Sequence, residues 1–240
     1  MQNQYAIHEH RVPVSEVGAP ARAEFIVKTY LHLFGAILLF AAIEGVFFST
    51  GLADRLAAAM LGTSWLLVLG GFVVVSWIAS RAAQTSQSLV TQYAALFGFV
   101  LAEAIIFVPL LWIADRMTLE RGIAGGIITN AAMVTLVGFG GLTLIAFGTR
   151  KDFSFLRGIM MWGGMSAMLL IGGSLIFGFN LGTWFSVGMI ALAGAAILYD
   201  TSNIIKRYPE DRYVGAALQL FASVALMFWY VLRLFLAARD

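Results

Sequence analysis

Seven apolar runs follow one another along this chain, at roughly 27–50, 63–80, 89–114, 123–148, 158–179, 183–205 and 214–236. A helix rises 1.5 Å per residue, and about 20 mostly apolar residues cross the hydrocarbon of a bilayer. The polar and charged residues fall in the gaps: "DR" at 54–55, Arg81 with "QTSQ", "DRMTLER" at 115–121, "RKD" at 150–152 and "KRYPEDR" at 206–212. Only 12% of residues are charged and 60% are hydrophobic. A soluble domain carries about 25% charged residues. This chain has too few charges to cover a water-facing surface, so the pattern predicts an all-α membrane protein, a bundle of seven transmembrane helices. The residues "NLG" between spans five and six predict a tight helical hairpin, and "GLADRLAAAML" at 51–61 a short interfacial helix.

Orientation follows from Lys and Arg near the membrane ends. With the loops taken alternately, the side of the N-terminus holds Arg11, Arg22, Lys28, Arg81, Arg150, Lys151, Arg157, Lys206, Arg207 and Arg212, ten in all. The other side holds five: Arg55, Arg116, Arg121, Arg233 and Arg239. The expectation is a cytoplasmic N-terminus and an external C-terminus. Residues 1–24 lack the apolar core of a signal peptide and read as a cytoplasmic, partly disordered tail before a transmembrane domain over 25–240. Compact loops and the lack of an evident organelle signal point to a bacterial inner membrane.

The same residues exclude much chemistry. There is no cysteine, hence no disulfide, thiolate or Cys-ligated metal. His8 and His10 lie in the tail and His32 near the inner end of span one, so no His cluster enters the core. The net charge of +2 and the lack of a long basic run give no footprint for nucleic acid. Glycine-rich stretches such as "VGFGGLT" (137–143), "MWGGMS" (161–166) and "IGGS" (171–174) read as close helix packing, since a phosphate loop needs a strand before it.

Ionisable groups inside a bilayer cost roughly 2.5–3.5 kcal/mol on insertion scales. They persist when paired, hydrated or functional. Asp200 lies five residues before the end of span six, about 8 Å deep, and is followed by Thr201, Ser202 and Asn203. Glu44 lies in the outer half of span one, Glu103 near the middle of span three, Arg233 near the outer end of span seven, and Arg81 at the inner end of span two. Two clusters are expected: an inner one of Asp200 with Arg81, and an outer one of Glu44 and Glu103 with Arg233 as counter-ion. Arg233 and Glu44 also admit a simpler reading, in which they snorkel to the interface. Carboxylates are oxygen ligands for hard cations such as Ca²⁺ and are proton acceptors. The acids therefore outline a possible cation pathway whose inner end is controlled by protonation of Asp200.

"ILYDTSNII" (197–205), a short charged loop and "ALQLFASVALMFWYVLRLF" (217–235) resemble the signature end of the Bax inhibitor-1 family, the transmembrane Bax inhibitor motif proteins. "TRKDFSFLRG" (149–158) resembles that family's loop between helices four and five. The resemblance covers nearly all of the chain after residue 25. It implies a seven-helix bundle whose last helix is central and wrapped by the other six. It also implies a pH-dependent Ca²⁺ leak, suppression of cell death by eukaryotic members, and binding to a membrane-bound AAA protease by a bacterial relative. In the family's leak scheme two aspartates, on helices six and seven, share protons, and an arginine near the end of helix two latches the pore. Asp200 matches the first aspartate and Arg81 the latch. The second aspartate falls where this chain has Ser223. A serine cannot share a charge, although it can donate a hydrogen bond that favours a charged acid. A weaker or acid-shifted pH response, or no leak, is then expected.

The leading expectation is a pH-sensitive Ca²⁺ or cation leak with an incomplete two-aspartate sensor. No resident cofactor is expected, and Ca²⁺ enters as transported ion. The alternative is a non-transporting regulator that binds a membrane protease or another membrane protein. An enzyme is not expected. Span seven has no lysine for a retinal Schiff base, "GGMSAM" (163–168) has a serine but no embedded histidine beside it, and zinc ligands are wanting.

Overall fold

The computed structural model describes residues 13–238. His8, His10, Arg11 and Arg239 lie outside the described residues. The elements are α1 (Ala19–Ser49), α2 (Leu52–Leu61), α3 (Trp65–Thr85), α4 (Leu89–Arg121), α5 (Ile127–Thr149), α6 (Leu156–Phe177), α7 (Gly182–Lys206) and α8 (Tyr213–Ala237), with a 3₁₀ turn at Glu210–Arg212. All but α2 are long and apolar enough to cross a membrane, which makes seven spans. The end of the bundle that carries the N-terminus is called the near end below, and the opposite end the far end.

The helix ends follow local chemistry. Pro20 opens α1 at a position where its missing N–H is no loss. The Ser88 hydroxyl caps α4 by accepting from the Thr91 amide at 3.4 Å. The hairpin between α6 and α7 turns on Gly178 and Gly182, at φ 73° and 66°, where a side chain would be strained. α2 is the short helix expected at 51–61. It lies on α4, where Asp54 accepts from Trp112 Nε1 at 2.8 Å and from Arg116 at 2.9 Å.

α8 packs on α1, α3, α4, α5 and α7. It is central, and α4 is as buried as α8. The fifth span of the expected ring, α6, stands outside and packs mainly on α7. Lipid is as apolar as leucine, so no hydrophobic force drives these spans together, and close packing must hold them. Phe107 of α4 is the hub. Its ring lies edge-on to Phe40 at 5.2 Å and to Trp229 at 4.9 Å, and stacks on Phe228 at 5.5 Å. Near the other end of α8, Gly215 lets the α3 backbone come so close that a Cβ there would sit 2.8 Å from the Ala83 carbonyl oxygen.

The tail reading changes at its end. Residues 13–18 lie on the near end of the bundle, and α1 begins at Ala19. Pro13 bridges to Pro209, the Val14 amide donates to the Tyr208 carbonyl at 2.8 Å, and Val14 is fully buried. Arg22 holds this strap by donating to the carbonyls of Val14 at 3.1 Å and Ser15 at 2.5 Å.

Candidate functional site

At the near end, α7 carries Asp200, Thr201 and Ser202 in a row, and all three are buried. Asp200 lies six residues before Lys206, about 9 Å from the end of α7. The Ser223 hydroxyl of α8 donates to Asp200 Oδ2 at 2.5 Å. Ser202 faces the loop between α5 and α6, accepting from the Phe153 amide at 3.3 Å and donating to the Lys151 carbonyl at 3.4 Å. That loop is fastened again by Asp152, which pairs with Arg207 at 3.0 Å. The Ser154 amide first, and then Arg207, hold the Asp152 carboxyl below the usual carboxylate range.

Around Asp200 the bundle buries more hydroxyls than it pairs. The side-chain oxygens of Tyr30 (α1), Thr143 (α5) and Thr201 (α7) are shielded from solvent and close no hydrogen bond of normal geometry. The Tyr30 hydroxyl neighbours those of Thr201 and Thr143. Four helices thus bring one carboxyl and four hydroxyls together near one end of the bundle. Such hard oxygens suit a proton, water or a hard cation. Among the described residues, no group of three His, Asp or Glu side chains comes together to hold a metal.

Below this cluster the near end is closed by the strap and by Tyr208, whose ring stacks on Phe25 at 6.4 Å. Burial pushes the Tyr208 hydroxyl above its ordinary pKa, so it stays neutral.

The expected inner cluster does not form with Arg81. That residue is exposed on α3 with its guanidinium 5.9 Å from the Trp77 ring, and no ion pair joins it to Asp200 among the described residues. α8 stands between α3 and α7, and Asp200 faces α8 instead. The arginine that does tie α3 to the α7–α8 turn is Arg212. It is 2% exposed and donates to the carbonyls of Ser86 and, at 3.4 Å, Thr85, closing the end of α3. In the sequence it looked like one more surface cation of "KRYPEDR", with only the nearby Gly215 to hint at a close approach.

The expected outer cluster is also divided. Glu44 lines a cavity of about 280 Å³ between α1, α4, α5 and α8. Glu103 lines another, of about 450 Å³, between α3, α4 and α8, with Ser76, Ser80 and Gln219. Phe107 and Ala225 belong to both walls and separate them. Arg233 pairs with neither acid among the described residues, and its guanidinium lies 5.8 Å from the Tyr230 ring. Depth along a helix can be counted in the sequence, whereas the face on which a charge emerges depends on helix rotation.

The family model described as "Inhibitor of apoptosis-promoting Bax1" matches residues 22–240. Bax inhibitor 1 of Schizosaccharomyces pombe is 27% identical over 240 residues, covering 94% of this chain and 81% of the relative. An uncharacterised protein of Campylobacter jejuni is 30% identical over 223 residues, covering 88% of each chain. Protein LIFEGUARD 4 of Arabidopsis thaliana is 35% identical over 123 residues, about half of each chain. With seven apolar spans, the last of them largely buried, and a family match over residues 22–240, this chain belongs to the Bax inhibitor-1 family.

Proposed function

We propose that this multi-pass membrane protein is a pH-sensitive cation leak, with Ca²⁺ as the leading candidate ion, controlled around Asp200. The observation that carries the reading is the buried carboxyl of Asp200, bonded to Ser223 and surrounded by the unpaired hydroxyls of Tyr30, Thr143 and Thr201. A buried polar group without a partner is costly, so a cluster of them fits a place that water or an ion visits. Glu103, in a mostly apolar cavity that also holds Ser76, Ser80 and Gln219, supplies the next acidic station toward the far end. The reading places the protein in a bacterial inner membrane with a cytoplasmic N-terminus, in line with the ten-to-five division of Lys and Arg. It assigns no enzymatic reaction and no resident cofactor.

The test is Ca²⁺ uptake by proteoliposomes holding folded protein, across pH 5 to 8. Uptake that exceeds empty liposomes and varies with pH supports the leak. Uptake equal to empty liposomes overturns it.

A second reading has its own observation. Ser223 stands where the family scheme has an acid, which leaves a site that holds a proton less firmly coupled to a second group. A non-transporting regulator of a membrane-bound AAA protease would tolerate this change. Co-reconstitution with such a protease, with its proteolytic rate as readout, tests this second reading.

A further inference from the structure

The cavity beside Glu44 takes no part in the leak reading. Its wall is apolar except for Glu44 and Thr135, and the Thr135 hydroxyl is already bonded to the Ala131 carbonyl at 2.8 Å. Glu44 is 7% exposed, and neither of its carboxyl oxygens has a hydrogen-bond partner. No Lys, Arg or His lines the cavity. A carboxyl in such a wall either stays protonated and unpaired or waits for a cation, because an unpaired charge in hydrocarbon is costly.

The placement along the membrane axis adds a second constraint. On α1 the lining runs from Ile37 up to Glu44, and on α5 from Leu136 back to Ile128. Glu44 is therefore at the far-end mouth, and the apolar slot extends about 11 Å from it toward the midplane. The same two helices meet at the near end, where the Tyr30 and Phe147 rings touch at 5.8 Å. A polar group at the membrane-surface end and an apolar slot behind it match an amphiphile standing in one leaflet.

We propose that the Glu44 cavity binds a membrane-partitioned amphiphile bearing one protonated amine, with the ammonium on the Glu44 carboxyl and the alkyl chain in the slot. An ammonium offers three donors, enough for both free oxygens, and its bonds to a carboxylate are charge-assisted. A hydroxyl-headed amphiphile satisfies one oxygen at most, and an uncharged tail satisfies none. The site is separate from Asp200 and does not rest on the leak reading.

The test uses full-length protein in nanodiscs of zwitterionic lipid at pH 7.5, with radiolabelled dodecylamine as probe and dodecanol as uncharged competitor. Expected are saturable uptake above empty nanodiscs, little competition by dodecanol, and binding weakened about tenfold or more by Glu44→Gln. Ala132→Phe, which fills the slot and leaves the acid in place, is expected to weaken it similarly. Asp200→Asn is expected to bind like the wild type. Uptake no greater than that of empty nanodiscs overturns the proposal. So does unchanged affinity in folded Glu44→Gln or, if that variant fails to fold, in Ala132→Phe.

Discussion

Ser223 of α8 donates a 2.5 Å hydrogen bond to Asp200 of α7, joining the two helices that make the most extensive contact in the bundle. Removing the donor strands a buried acid. Ser223→Ala is expected to destabilise the protein by about 1–3 kcal/mol, read as a lower unfolding midpoint in detergent. Ser223→Asp puts two carboxyls where one proton must be shared. It is expected to make Ca²⁺ flux vary more steeply with pH than the wild type does. An identical pH profile in the two proteins would count against Asp200 as the controlling group.

Arg212 closes the α3 end from the α7–α8 turn, and Gly215 admits the α3 backbone beside it. Arg212→Gln is expected to cost about 2 kcal/mol or more, since it strands carbonyls that a charged donor had satisfied. Arg212→Lys should restore little of this, because an ammonium lacks the planar fork. Gly215→Val should cost about 1–3 kcal/mol by overpacking. Thermal unfolding of the three variants in one detergent checks all of these.

Phe107 fills the wall between the Glu44 and Glu103 cavities. Phe107→Ala is expected to cost about 3–5 kcal/mol and to join the two spaces. If the variant folds, a leak that uses Glu103 should become faster. Flux unchanged from the wild type would place the pathway away from this wall.

Asp54 ties α2 to α4, and its Trp112 and Arg116 partners hold its carboxyl below the usual range. A depressed folded-state pKa contributes stability that is fully present above the unfolded value. That stability is lost only as pH falls through the lower, folded value. Asp152 follows the same sign through Ser154 and Arg207. Both groups therefore stay ionised between pH 5 and 8, and Asp54→Asn and Asp152→Asn should leave the shape of any flux–pH curve in that window unchanged. A changed shape in either variant would show that these contacts take part in the response.

The spans were legible because each is a one-dimensional fact: enough apolar residues in a row between charged gaps. The short helix α2 was legible as well, from the run "GLADRLAAAML". The level of Asp200 could be counted from the end of its run, and the position of Ser223 came through the family motif. The pairings of Arg81, Glu44, Glu103 and Arg233 were not legible, because they depend on rotation of each helix and on which helix stands between two others. Here α8 separates Asp200 from Arg81, and Phe107 separates the two glutamates. Tyr30 and Thr143 were missed because a single hydroxyl in an apolar run carries no pattern. The strap at residues 13–18 was missed because a polar tail gives no sign of the loop that receives it.

The most direct measurement is Ca²⁺ flux through Asp200→Asn beside the wild type, in the same liposomes, at pH 5, 6, 7 and 8. Asparagine keeps the shape and a hydrogen-bonding partner for Ser223 but cannot exchange a proton. The account predicts a wild-type flux that changes with pH and an Asp200→Asn flux that does not. A pH response that survives unchanged in folded Asp200→Asn would contradict it.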